Sequence, residues 1–155
     1  RHPQHVVGTM RDRIDDFVAQ KKLAVVGVSR QGRGFGAMAF KELRGRGYEV
    51  YAVNASAKQG QDLFPNLKAL PTPVEGVVCI VRPKQTEAVV RECAEAGVRR
   101  LWMQQGSESV AAIKFCEENG IAAVHHACIL MFAPPVGSFH KLHGWCMALV
   151  GRLPS

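Results

Sequence analysis

The sequence predicts an α/β domain built on a Rossmann-like, doubly wound parallel sheet of about five strands with flanking helices. Three observations predict it. Short β-branched runs alternate with segments of helical spacing, the pattern of strands joined by crossover helices. The first of these runs is apolar on both faces, as a strand covered on both sides must be. The 155 residues suit one domain, and 47% apolar against 21% charged residues supply a core. With no internal repeat beyond the strand–helix unit, no low-complexity segment and no linker, residues 1–155 read as a single domain.

Each element has its own signal. A helix is expected over residues 9–20, with Thr9 as cap and Met10, Ile14, Phe17 and Val18 on one face. Residues 23–28 (LAVVGV) form the first strand, and residues 29–36 a glycine-rich turn. The next helix, 37–46, is divided by Met38, Leu43 and the stem of Lys41 or Glu42, and Gly47 stops it. Residues 48–53 are the second strand. Gly60, Pro65, Pro71 and Pro73 make 54–73 an irregular excursion. The third strand, 77–81, precedes a helix over 84–96, with Ala88, Val89, Cys93 and Ala96 inward and Gly97 ending it. Residues 100–103 are the fourth strand. Ser107 or Ser109 caps a helix through Glu118, closed by Asn119-Gly120, and residues 121–124 are the fifth strand. Pro134-Pro135 breaks the chain, and Ser138 caps a last amphipathic helix, 138–150, carrying Phe139, Leu142, Cys146 and Leu149. Packing against the sheet or in a homodimer is its expected role.

The composition narrows the partners. No apolar run approaches the roughly 20 residues that span a bilayer, and residues 1–7 carry charge without the apolar core of a signal peptide. The five cysteines show no paired spacing and lie in or beside apolar segments, as reduced buried thiols in a cytoplasmic protein do. The formal charge of +7 suggests a polyanionic partner. The basic residues are spread along the chain, with a modest cluster at Arg30, Arg33, Lys41, Arg44 and Arg46. Such spread is ordinarily a solvated surface, so neither nucleic acid nor a membrane is expected as partner.

Parallel sheets bind ligands at the carboxyl ends of their strands, and residues suited to that task follow several of the predicted strands. After the first come Gly27, Val28, Ser29, Arg30, Gln31, Gly32, Arg33, Gly34, Phe35 and Gly36. Glycines admit a phosphate close to the backbone, and the helix that follows points N–H groups at it. Ser29 adds a hydroxyl, and Arg30 and Arg33 add charge. The Gly-Lys-Ser/Thr ending of a P-loop is missing. After the second strand stands Asn54, where an NAD site usually has a carboxylate. Asparagine does not repel a phosphorylated ribose, so NADP and coenzyme A both qualify. Val81, Arg82 and Pro83 follow the third strand, and Gln104, Gln105 and Gly106 the fourth, while Trp102 and Met103 are expected in the core.

These residues resemble the CoA-binding domain family, small stand-alone bacterial proteins related to the CoA-binding domain of succinyl-CoA synthetase. The resemblance runs from Lys22 to Cys128. It rests on Val25-Val26-Gly27-Val28-Ser29, on residues 45–54 (GRGYEVYAVN), on Gly60 through Pro65 and Leu67, on Leu70-Pro71 with Pro73-Val74, and on Leu101-Trp102-Met103-Gln104 with Gly106. The chain departs from the family pattern at Ala55, Asn66 and Gly76. The resemblance implies binding of coenzyme A or an acyl-CoA, with the glycine-rich turn on the pyrophosphate. Asn54, Val81-Arg82-Pro83 and Gln104–Gly106 would line the rest, and Cys128 stands where the family ends around a cysteine.

A catalytic site is not expected. His125 and His126 are adjacent and should point to opposite faces of a strand. His140 and His143 share a helical face, and a surface pair is a commoner arrangement than a metal site. Cys128 could exchange with a ligand thiol, but a buried thiol is the ordinary reading. The competing readings are an NADP-dependent oxidoreductase or accessory subunit, and an interaction protein with a vestigial nucleotide pocket.

Overall fold

A computed structural model describes residues 8–58 and 62–136. The expected C-terminal helix, with Cys146 and the His140/His143 pair, lies outside the described residues. The elements run α1 (Met10–Val18), β1 (Lys22–Val26), α2 (Gly34–Gly45), β2 (Glu49–Val53), a 3-10 turn (Leu67–Ala69), β3 (Gly76–Cys79), α3 (Pro83–Ala96), β4 (Arg100–Gln104), α4 (Val110–Glu118), β5 (Ala122–Ala127) and α5 (Ile129–Phe132). The five strands are parallel and ordered β2-β1-β3-β4-β5. The chain leaves β1 for one edge of the sheet, then returns past it to build the other. A switch point therefore falls between β1 and β3.

Strand alternation divides the core in two. Leu23, Val25, Val50, Ala52, Val78, Trp102 and Val124 face a layer that includes Ile14 and Phe17 of α1, Leu43 of α2 and Phe132 of α5. Ala24, Val26, Val77, Cys79, Leu101, Met103 and Ala123 face Val89 and Cys93 of α3 and Cys116 of α4. Burial pushes the Cys79 and Cys116 thiols up to about 12, and Cys93 well above its ordinary value, so these thiols are inert core groups.

Local chemistry sets the boundaries. Thr9 Oγ1 accepts from the Asp12 N–H at 3.1 Å while Asp12 Oδ2 accepts from the Thr9 N–H at 2.9 Å, a reciprocal cap for α1. Helix α2 begins at Gly34, earlier than expected, so Gly34, Phe35 and Gly36 belong to its first turn. Asn66 caps the 3-10 turn by accepting from the Ala69 N–H at 2.9 Å. Gly76 is buried under Phe17, whose ring would stand 2.8 Å from an added Cβ.

Two further expectations need correction. On α3 the buried stripe is Thr86, Val89, Val90 and Cys93, while Ala88 and Ala96 are exposed. Thr86 belongs inside because its hydroxyl donates to the Ser107 carbonyl at 2.6 Å. The second correction concerns β5, which runs past Val124 to Ala127 and carries a bulge. Trp102 pairs with Val124 but Gln104 pairs with Ala127, so β5 holds one extra residue there. His126 takes φ 61°, alternation fails, and the two histidine rings meet instead of pointing apart.

Glu75 ties the start of β1 to β3, its Oε1 accepting from the N–H groups of Lys21 (2.8 Å) and Lys22 (3.0 Å). Those two bonds, Lys22 first, hold the carboxyl below its ordinary value of 4.5, and the charges of Arg100 and Lys22 add to the effect. The folded state thus favours the carboxylate. Its contribution is complete above pH 4.5 and is lost as the pH falls through the lowered folded value. Glu75→Gln should reduce stability at neutral pH and flatten its fall in acid, as read by urea unfolding across that range. The effect should not exceed about 1 kcal/mol, because water screens an exposed carboxylate.

Candidate functional site

A cleft of about 880 Å³ opens at the carboxyl ends of β1, β2, β3 and β4, at the switch point. Its volume is in the range of small-molecule sites. Val26, Val53, Ile80 and Val81 give it an apolar floor. Asn54 and Ser56 form one side, Gln105, Gly106 and Ser107 another, and the start of α3 brings Arg82, Pro83, Lys84 and Gln85. Arg82 and Lys84 are exposed, which gives this rim a positive edge.

Gly27 is the junction of the site. It takes φ 107°, and an added Cβ would fall 1.9 Å from the Ile80 carbonyl oxygen. Gly36, in the first turn of α2, has the same property: its Cβ would stand 2.3 Å from the Gly27 carbonyl oxygen. The two glycines let α2 start directly against the ends of β1 and β3. Arg33 occupies the cap position and makes no side-chain cap hydrogen bond, so the first-turn N–H groups of α2 have no side chain of the cap residue on them. Beside this turn, the buried Nε of Arg30 has no hydrogen-bond partner among the described residues.

Of the residues expected at the site, Gly27, Asn54, Val81, Arg82, Pro83, Gln105 and Gly106 line the cleft. Val28, Ser29, Arg30, Arg33, Gly34, Phe35 and Gly36 do not line the cleft; they form the loop and the first turn of α2, which meets the cleft at Gly27, against which Gly36 packs. The Ser29 hydroxyl donates to Gln31 Oε1 at 2.9 Å and accepts the Gln31 N–H at 3.1 Å, so its proton is engaged within the loop. Asn54 Nδ2 donates to the Val28 carbonyl at 2.7 Å and its Oδ1 accepts the Ser56 N–H at 2.7 Å. Its amide therefore braces the end of β2 against the loop, leaving one donor hydrogen and one lone pair. Gln104 is buried, its Oε1 accepting from the Ile129 N–H at 3.0 Å. The Cys128 thiol is half-buried and does not line the cleft.

Lys84, Gln85, Ala88 and Glu92 of α3, together with Ser56 and Pro65, line the cleft without having been expected there. Pro83 at the head of a helix beside the switch point was the signal for the first two. Glu92 lay beyond sequence reasoning, since its carboxylate accepts the N–H of Leu67, 25 residues away. Ser107 Oγ accepts the Val81 N–H at 3.1 Å, fixing the wall between β3 and β4. Among the described residues, no group of three or more His, Cys, Asp or Glu side chains could hold a metal, and no helix is long and apolar enough to cross a membrane.

Comparison with known proteins places this geometry. YneT of Bacillus subtilis, an uncharacterised protein, is 29% identical over 111 residues, covering 70% of this chain and 82% of that protein. The alpha subunit of ADP-forming acetate–CoA ligase II of Pyrococcus furiosus is 30% identical over 89 residues, covering 56% of this chain. The chain spans only 20% of that subunit's length. A solved structure of a hypothetical protein from Pyrococcus horikoshii superposes with a TM-score of 0.71 at 27% identity, over 84% of this chain and 94% of that one. The family model for the CoA binding domain matches residues 21–134, from the approach to β1 through the end of α5. With the sheet order, the glycine junction and this match in agreement, the chain belongs to the CoA-binding domain family.

Proposed function

We propose that the cleft binds coenzyme A or an acyl-CoA, that the head of α2 holds its diphosphate, and that the domain acts as a binding module without turnover of its own. One observation carries this reading: a roomy cleft at the β1/β3 switch point adjoins a helix start that no cap side chain occupies. Backbone N–H groups at a helix start, with the positive end of its dipole, suit an anion. Arg30, whose buried Nε has no partner among the described residues, and the exposed Arg33 flank that turn, while Arg82 and Lys84 offer charge across the cleft. The apolar floor suits an adenine ring or a pantetheine chain. Membership of the CoA-binding domain family and similarity to a subunit named as an acetate–CoA ligase support the same ligand.

An NADP site is the competing reading, because Asn54 offers no carboxylate to a ribose. Thermal unfolding with CoA, acetyl-CoA, NADP and NAD separates the two. A ligand of the folded state stabilises it by RT ln(1 + [L]/Kd). CoA or acetyl-CoA should raise the midpoint well beyond either dinucleotide; a larger rise with NADP would overturn the CoA reading. Arg33→Glu should weaken CoA binding by about tenfold or more, the worth of a charged hydrogen bond. Its unfolding midpoint should stay close to wild type, since Arg33 is exposed and makes no cap bond. Unchanged affinity in calorimetry would remove Arg33 from the site.

A further inference from the structure

The bulge in β5 sets two imidazoles against each other. His125 Nδ1 and His126 Nδ1 stand 2.7 Å apart, with ring centroids 4.9 Å apart at 80°. At that distance one nitrogen carries a proton and the other offers its lone pair. The contact accommodates a neutral pair or a singly charged one. A second proton turns it into two N–H donors aimed at each other. His126 also sits at φ 61°, a left-handed conformation that a residue with a Cβ holds only under strain.

That strained residue is wired to the cleft. The His126 N–H donates to Glu108 Oε2 at 3.0 Å, and Glu108 Oε1 accepts from the Gly106 N–H at 2.9 Å. Gly106 lines the cleft, at φ 93°. One carboxylate therefore joins the wall of the cleft to the bulge.

The surroundings of the pair are charged on several sides. Arg13 of α1 donates to the Ala123 carbonyl at 3.2 Å and pairs with Glu117 of α4 at 3.1 Å. Glu108 comes from the loop between β4 and α4. β4 carries only Arg100, which pairs with Asp16 at 2.7 Å, and α5 has no titratable side chain. The half-buried Cys128 follows the strand. Burial first, then His126 and Arg13, lower the pKa of His125 below its ordinary 6.5, with Glu108 and Glu117 opposing. The folded state thus favours neutral His125. Stability from this group is complete above pH 6.5 and is lost as the pH falls toward the lowered folded value.

We propose that His125, His126 and Glu108 form an acid-sensitive latch on the cleft. A second proton on the imidazole pair parts the rings, lets His126 leave the left-handed region and draws Glu108 away from Gly106, loosening the wall at residues 105–107. The latch belongs to the free protein; its effect on affinity rests on the CoA reading of the cleft.

The test begins without ligand. In ¹⁵N-labelled protein taken from about pH 8 to about pH 4.5, the imidazole pair should titrate in two steps, and the Gly106 amide resonance should shift with the lower of them. In His126→Asn, which tolerates the left-handed region and has no imidazole, Gly106 should not follow that titration. His125→Gln provides an independent variant with the same expectation. A Gly106 resonance that stays flat in the wild type, or moves equally in both variants, overturns the latch. Calorimetry with CoA then reads the coupling. Between about pH 7.5 and about pH 5.5 the wild type should lose about fivefold more affinity than His126→Asn. Taking the difference removes the titration of the ligand's own phosphate, near pH ~6. Equal losses overturn the coupling to binding. Absence of CoA binding in both proteins at neutral pH overturns the reading of the cleft, and the Gly106 titration still decides the latch.

Discussion

Gly27→Ala should destabilise the domain by about 2–5 kcal/mol and abolish ligand binding in whatever fraction still folds. Two terms add. The residue holds φ 107°, a conformation that only glycine enters without strain. The new methyl would also stand 1.9 Å from the Ile80 carbonyl oxygen, which is backbone and cannot rotate away. Relief requires β1 and the end of β3 to separate at the mouth of the cleft. The backbone is tied there on both sides: the Ile80 N–H donates to the Val26 carbonyl of β1 at 2.9 Å, and the Gly27 N–H donates to the Val53 carbonyl of β2 at 2.9 Å. Gly34→Ala is the matched control. Gly34 also has positive φ, at 87°, but its Cβ would meet nothing within 4 Å, so that change should cost only about 1 kcal/mol. Urea unfolding of the two variants reads the difference. Equal midpoints for both would show that the approach of Gly27 to Ile80 does not constrain the fold.

The second large effect lies in the core. Trp102→Ala should cost about 3–5 kcal/mol, the range for removing a buried large aromatic side chain. Trp102 is fully buried, meeting Phe17 edge-on at 5.4 Å between centroids and Phe132 at 6.0 Å. It is the contact through which α1, β4 and α5 share one layer. Its Nε1–H donates to the Ala127 carbonyl at 2.9 Å, at the end of the bulged strand. Truncation therefore leaves a cavity and an unpaired carbonyl together. Trp102→Phe retains much of the ring volume and loses the hydrogen bond, and should cost about 1–2 kcal/mol. Chemical denaturation of both variants checks the order. A Phe variant as unstable as the Ala variant would assign the effect to the hydrogen bond rather than to packing.

Much of this architecture was legible in the residues. The run Leu23-Ala24-Val25-Val26 is apolar at every position because helices cover both faces of β1, and that alone argues for a parallel sheet. Thr9, Gly47, Gly97 and Ser109 mark helix ends through chemistry confined to one turn. The placement of a site at the carboxyl ends of the strands followed from the sheet type, and the cleft lies there.

What escaped has a common cause. Thr86 is absent from the stripe expected on α3, and the partner that lets it be buried, the Ser107 carbonyl, is 21 residues away. With Thr86 inside, the buried face turns, and Ala88, expected inward, is exposed and lines the cleft. Asn54 is expected at the site and lines the cleft, but the hydrogen bond that orients its amide runs to the Val28 carbonyl, 26 residues earlier, and has no local signal. The histidine pair was assigned to opposite faces because alternation was assumed to persist through β5.

The strand–helix order, the two-sided burial of the sheet, the glycine turn and the family resemblance can be read along the chain, because periodicity and capping are carried by sequence neighbours. Folding had to be seen to learn which side chains line the cleft, which polar groups the protein itself engages, and where the bulge joins two imidazoles to a carboxylate on the cleft wall. Those depend on register between segments far apart in sequence, and register is set when the strands pack together.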